Sequence, residues 1–548
     1  MTFAQRVAAA YDLIDTVDRP EIWIALRPQD EVLAEAAQLD PRLPLAGTLL
    51  AVKDNIDVAG LPTTAAAPSY SYLPTADATA VARLRAAGAV VLGKTNLDQF
   101  ATGLVGTRSP YGAVRNAWDP ERISGGSSSG SAVAVALGIV DLALGTDTAG
   151  SGRVPAALNG IVGVKPTKGL VPVTGVVPAC YSLDCVTMFS RDLDLAQRAV
   201  EIMQGPDASD PLSRPAMPSP GLSSQPRIAL PLPHQLDDLA PGWREAFEKV
   251  VTRFSQFADI DRVDISPLLD AARLLYEGAF VAERYAAVGA HLEMHTNGID
   301  PTVAAIVLGS KTKAAHEWAT DTATLARLGA EANTTLAGFD ALLTPTTTWH
   351  PTLAEVAADP IGANSRMGRF TNFANLLDKA ALAVPAGVVN GLPFGIMLTG
   401  PAFSDRNLAD LARRFANPPI DVFVVGAHLS GQPLNWQLVQ AGGTLVSYTK
   451  TSPDYRLHAL DTTPAKPGLA RVARDDAAIE GEIWRLPAAG FGTFVDAVPA
   501  PMVIGAVTLA DGSTVNGFLA EPISFTNAPD ISAFGGWRAY LASTRVSV

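Results

Sequence analysis

A chain of 548 residues that is 48% hydrophobic has enough apolar material for two or more substantial cores, and its 46 glycines and 41 prolines suit a loop-rich α/β protein. With 54 acidic against 41 basic side chains, the net charge of −13 argues against nucleic-acid binding and offers no long-range attraction to an anion, so any anion must be recognised locally. The most apolar stretch, residues 131–146, is interrupted by Asp141 and no basic, apolar leader is visible, so neither a membrane span nor secretion is expected and the cytoplasm is the expected compartment.

The first informative element is the apolar run LLAVK, which reads as a buried strand ending at Lys53. Residues 78–87, ATAVARLRAA, have helical spacing, and AVVL after them reads as a strand. GAVVLGKT across residues 88–95 therefore meets the phosphate-loop pattern letter for letter but in the wrong context, because that loop follows a strand and opens a helix. Lys94 is then a lysine at a strand end. GGSSSGS at residues 125–131 has the composition of a linker, yet SAVAVALGIV continues at once as an apolar helix, so these glycines sit at an element boundary inside a core.

Residues 141–144 read as a strand, and GTDTAGSG at 145–152 turns from it towards a helix. This turn leaves the backbone N–H groups of Thr148, Ala149, Gly150 and Ser151 free to converge on one spot, the arrangement of an oxyanion hole, worth roughly 10²–10³ in rate per donor. A serine hydroxyl is a weak nucleophile and needs a base to take its proton. A neutral lysine can serve if desolvation or nearby positive charge lowers its pKa from about 10.4. Ser151, Ser127 and Lys53 supply a nucleophile, a relay and a base without histidine.

Cys180 and Cys185 have no further ligand type nearby that would make a metal site, and free, buried thiols are expected. Residues 220–340 are richer in helical periodicity, after which FDALLTPT and LAVPAGVV return as strands. The paired prolines of ANPPI place a boundary at 417–420, dividing the chain into domains 1–417 and 420–548. Short β-rich runs fill the tail: DVFVVGAHLSG, GTLVSYTK, YRLHAL, GEIWRL, TFVDAV, MVIGAVTL and VNGFLAE predict a small, mainly-β domain with a helix or two.

KDNIDV, GGSSSGSAVAVA and GTDTAGSGRVPAAL, in this order and spacing, resemble the amidase signature enzymes. The resemblance implies an α/β fold, a mixed sheet covered by helices, with Ser151 as nucleophile, Ser127 as bridging serine after a cis peptide, and Lys53 as base. It also implies main-chain contact to substrate near Thr102 and from Thr148 to Ser151, and no cofactor. Further segments, among them GVVPACYSLDCVTMF and VVGAHLSGQPLNWQL, are similar to the allophanate hydrolase branch, whose tail resembles the γ-glutamylcyclotransferase-like fold. That branch implies hydrolysis of allophanate to ammonia and carbon dioxide through N-carboxycarbamate, a homodimer, and a functional link to urea carboxylase. It matches Tyr276 and Arg284, eight positions apart on one helix and so on a shared face, to substrate binding, and His428 to a step on the first product.

A guanidinium offers a carboxylate a planar, two-pronged contact that neutral urea cannot use. Two positions depart from the branch: Tyr181 stands where an arginine is usual, and Lys379 where an apolar or small residue is expected. A general amidase acting on neutral amides, a glutaminase component needing partner chains, and a tail that serves only assembly remain as alternatives.

Overall fold

Eleven short runs rich in β-branched and small residues build one mixed sheet, and the computed structural model describes residues 2–219, 221–473 and 477–545. In chain order the strands are Trp23–Leu26 (β1), Leu49–Lys53 (β2), Val90–Thr95 (β3), Leu142–Asp147 (β4), Val162–Lys165 (β5), Cys185–Ser190 (β6), Arg227–Pro231 (β7), Asp259–Val263 (β8), Ala341–Pro345 (β9), Ala380–Val389 (β10) and Leu392–Gly400 (β11). Their spatial order is β1-β3-β2-β4-β6-β5-β10-β11-β9-β7-β8. β3, β2 and β4 run parallel, as do β9, β7 and β8, while β10 and β11 form an antiparallel hairpin. Parallel neighbours are buried on both faces, which is why LLAVK, VVLGKT and LALGTD are buried at every position.

Helix Ser129–Ala136 packs against β2, β4 and β6. Its first seven residues are buried, since a helix that is small and apolar all round has no face to give to water. Open sheets bind ligands beyond the carboxyl ends of their parallel strands. β2 and β4 end there at Lys53 and Asp147, with Val52 registered against Leu144. The strand expected over residues 141–144 runs on to Asp147, which brings Thr146 and Asp147 into the sheet.

The phosphate-loop letters fall on β3 after helix Thr79–Ala86. Lys94 is buried there, 3.2 Å from Asp54, and donates to Thr63 Oγ1 at 3.0 Å. Both cysteines are buried and free, and burial pushes the Cys180 thiol up to about 12. No helix among the described residues is long and apolar enough to cross a membrane.

The chain divides into two compact units, Met1–Ala412 and Arg413–Val548. In the second, Ile420–Val424 (β12), Thr444–Lys450 (β13), Tyr455–Leu460 (β14), Lys466–Arg471 (β15), Glu480–Leu486 (β16), Met502–Thr508 (β17) and Thr514–Ala520 (β18) form a five-stranded sheet, β13-β16-β12-β18-β17, and the hairpin β14-β15. Two readings of this tail are corrected. TFVDAV is not a strand but falls at the end of helix Ala488–Asp496: Phe491, Phe494 and Val498 recur at helical spacing and pack into the unit's core. β15 is absent from the sequence reading, because its Pro467 and Gly468 both disfavour a strand interior.

Candidate active site

Lys53, at the end of β2, is fully enclosed, with its Nζ 2.8 Å from Ser127 Oγ and 2.7 Å from Thr146 Oγ1. Burial pushes its ammonium down to about 7; Asp98, Asp147 and Asp184 pull the other way, and Arg284 adds to the drop. Near neutral pH a large fraction of this amine is therefore unprotonated, the form that can accept a proton.

Ser127 follows a cis peptide from Gly126. Its carbonyl accepts from Asp98 N–H at 3.1 Å, and the Asp98 carboxylate in turn accepts from the N–H groups of Val105, Gly106 and Arg108 at 2.9–3.3 Å. A Cβ on residue 126 would lie 2.1 Å from Asp98 Oδ2, so only glycine lets this loop close on the carboxylate. Ser128 returns to the same strand, donating to Thr146 O at 3.1 Å.

The turn after β4 hangs on Asp147. Its carboxylate binds Arg153 Nε at 2.9 Å and Nη2 at 2.8 Å, and accepts from Gly152 N–H at 2.9 Å, with both charged side chains fully enclosed. Arg153 also donates to Thr371 O and Asn375 Oδ1, both at 2.9 Å. Gly150 has φ near +150°, and a Cβ there would lie 2.3 Å from Thr371 Oγ1. Among the described residues no acceptor lies on the N–H groups of Ala149, Gly150 or Ser151. Thr148 Oγ1 donates to Asp184, which also takes the N–H groups of Ala179 and Cys180; burial still raises the Asp184 carboxyl.

Ser151 Oγ faces Gly103 O at 3.5 Å and makes no hydrogen bond to Ser127 among the described residues. The sheet thus brings Lys53 and Ser127 into contact and leaves Ser151 uncommitted. Catalytic hydrogen bonds are often long before substrate is present.

Tyr276 and Arg284 do meet, but not along one helix. Helix Ser266–Arg273 stops short of Tyr276, which lies in the following turn, and Arg284 belongs to helix Ala282–Met294. The break centres on Gly278, which is extended, with the next N–H donated to Asp321 Oδ2 at 2.6 Å. Tertiary packing then returns Arg284 Nη2 to 3.2 Å from Tyr276 OH. Nη1 donates to Thr102 Oγ1 at 2.9 Å, while Nε has no acceptor among the described residues. At 1% exposure, Arg284 pairs with no carboxylate among the described residues. Phe100 and Ala101, just before Thr102, hold left-handed backbone angles, as do Ala65 and Ala66, and Phe100 N–H donates to Ala65 O. Non-glycine residues in that region mark stored strain of the kind found at binding sites.

Tyr181 is exposed, and Lys379 Nζ donates to Asn333 Oδ1 at 2.7 Å. In the second unit, His428 lines a cavity of about 490 Å³ together with Gln437, Lys466, Phe494 and Phe518. Its Nε2 is 2.8 Å from Gln437 Oε1 and its ring stacks on Phe518; burial lowers its pKa. Glu482, another titratable group of this unit, is buried under donors from Ser430, Trp484 and Arg538.

Residues 6–409 match the amidase family, and residues 420–542 match the allophanate hydrolase C-terminal domain. The chain is 43% identical to urea amidolyase of Saccharomyces cerevisiae over 94% of its own length, but spans only 31% of that protein. The structure of Kluyveromyces lactis allophanate hydrolase superposes with a TM-score of 0.72 at 42% identity, covering 99% of this chain and 97% of that one. A peptide amidase in complex with the competitive inhibitor chymostatin superposes with a TM-score of 0.64 at 27% identity, covering 76% of this chain and 94% of that one.

Proposed function

The chain belongs to the amidase family and carries the C-terminal domain of allophanate hydrolases, and from that premise we propose that it hydrolyses allophanate to ammonia and carbon dioxide. The observation that carries the substrate is Arg284. A buried guanidinium without a carboxylate partner is costly to hold, and a substrate carboxylate supplies the missing charge. Urea and neutral amides would leave it unpaired.

Ser151 Oγ attacks the terminal amide carbonyl while Ser127 takes its proton and passes its own to Lys53. Thr146 Oγ1 accepts one N–H of the amine, and to take the proton the neutral nitrogen turns its lone pair to Ser127 Oγ, 2.8 Å away. The N–H groups of Thr148, Ala149, Gly150 and Ser151 receive the oxyanion, and Thr102 with Tyr276 and Arg284 holds the carboxylate end. The proton on Lys53 returns to the leaving nitrogen, ammonia departs, and water releases N-carboxycarbamate from the serine. That product loses carbon dioxide to leave carbamate, with His428 our candidate for assisting, and the carbamate breaks down to ammonia and a second carbon dioxide, so that two ammonia and two carbon dioxide result. Residues 1–417 serve as the amidase domain and 420–548 as the tail. A cytoplasmic homodimer supplied by a urea carboxylase completes the reading, which involves no cofactor.

The test is ammonia release from allophanate, urea, biuret and a neutral aryl amide. Arg284→Ala should lower kcat/KM for allophanate by roughly 30- to 5,000-fold, the effect of about 2–5 kcal/mol from truncating one side of a buried charged contact. Comparable turnover of neutral amides by the unmodified enzyme would move the protein to the general amidases.

The pH profile follows from Lys53. Its neutral form increases as pH rises, so kcat/KM should climb about tenfold per pH unit below about 7 and level off above it. A flat profile between pH 6 and 8 would remove Lys53 from the role of base.

A further inference from the structure

A second cavity, of about 240 Å³, opens beside Tyr276, on the same unit as Ser151. One wall is the turn Ser310–Thr312 that continues helix Pro301–Gly309 and ends at Lys313; another is helix Pro360–Met367, through Ile361 and Asn364; Arg108 closes the third side. Among the described residues two cations and no carboxylate line it, in a chain whose net charge is −13. Lys313 makes no ion pair among the described residues: its Nζ donates to the backbone carbonyl of Glu277 at 3.2 Å, and the Glu277 carboxylate is taken by Arg273 at 3.1 Å.

The lining residues lead inward to the substrate groups by short steps. Tyr276 OH is 3.2 Å from Arg284 Nη2. Arg108 is 2% exposed, donates to Thr102 O at 3.0 Å, and keeps its Nε without an acceptor among the described residues. Asn364 Oδ1 accepts from Leu104 N–H at 2.8 Å, and the carbonyl of the preceding residue, Gly103, faces Ser151 Oγ.

We infer that this cavity is the way in for the anionic substrate and that Lys313 determines specificity there, drawing the carboxylate past Tyr276 towards Arg284. The inference rests on the allophanate reading. A lysine at the mouth of a concave, low-dielectric passage raises the local concentration of anions, and the effect fades as salt screens it. Net repulsion from a chain of this charge would otherwise act on an incoming anion at every approach.

Two measurements separate the inference from the reading beneath it. In steady state at low salt, Lys313→Ala should lower kcat/KM for allophanate about 3- to 10-fold with kcat at the unmodified value, Lys313→Glu should lower it further, and Lys313→Arg should retain it. The differences should close at 0.5 M salt, taken as roughly the level where screening reaches a few ångströms. In calorimetric titrations of the Ser151→Ala protein, adding Lys313→Ala should weaken allophanate by a similar factor and leave neutral biuret unchanged. Equal allophanate affinity with and without Lys313, or equal weakening of biuret, overturns the inference whether or not the enzyme turns allophanate over. An unmodified enzyme that hydrolyses neutral amides and ignores allophanate overturns the function itself, while the titration still decides Lys313. A loss confined to kcat or to melting temperature would show Lys313 acting only as a favourable charge beyond a helix C-terminus, and would also overturn it.

Discussion

Replacing Ser151 with alanine is expected to reduce ammonia release from allophanate by about 10⁴-fold or more, down to what the oxyanion donors and substrate binding supply by themselves. The fold should tolerate the change, because among the described residues Ser151 Oγ makes just a 3.5 Å contact with Gly103 O. Lys53→Ala should lose nearly as much, and the double variant little more, since residues that act as one proton-moving unit are not additive. Single-turnover assays with and without the hydroxyl check this directly. Residual activity above about a tenth of the starting rate in Ser151→Ala would assign the nucleophile elsewhere.

The second large effect is on stability. Arg153→Met, close in volume, leaves the Asp147 carboxylate enclosed with Gly152 N–H as its remaining donor among the described residues, and breaking a buried pair by removing one partner costs about 3–5 kcal/mol. Burial works to raise the Asp147 carboxyl, yet Arg153, Lys165 and the Gly152 N–H together bring it below the usual range, so the charge is present at neutral pH. Denaturant melts should show the loss. Adding Asp147→Asn should restore part of it, because the pair's worth lies in not leaving one partner alone. Activity should fall in the single variant, since residues 148–151 are suspended between Asp147 and Arg153. An unchanged melt for Arg153→Met would mean that water reaches Asp147.

What the sequence reveals of this site is what lies close together along the chain. Lys53 ends an apolar run, and Ser127 and Ser151 stand in glycine-rich turns before helices, so local pattern points to each. Thr146 escapes the sequence reading because the strand reads as ending at Leu144; its position two before Thr148 in GTDT, on a period-2 strand, is the available signal. Asp98, Asp184 and Asn375 reach the site across many residues, and no local pattern announces a contact formed by tertiary packing. Tyr276 and Arg284 come into contact, but not along one helix as the spacing suggests: helical spacing runs through Gly278, where backbone freedom and the Asp321 contact break the helix. In the tail, Phe494 sits in a run that looks β-like over six residues and helical over nine, and only the longer window shows the face that meets the core.

The enclosed amine of Lys53 ties durability to turnover. An unfolded lysine holds its proton up to about pH 10.4, whereas in the folded protein it releases it near 7. Across that window the unfolded chain binds a proton that the folded chain does not, so this residue's burden on folding is full below about 7 and lifts as pH rises. The change that makes the amine a base is the same one that relieves the fold of it. Mild alkali therefore favours the working enzyme twice over, and a neutral side chain of similar shape at position 53 would leave a protein that is inert yet harder to unfold near neutrality.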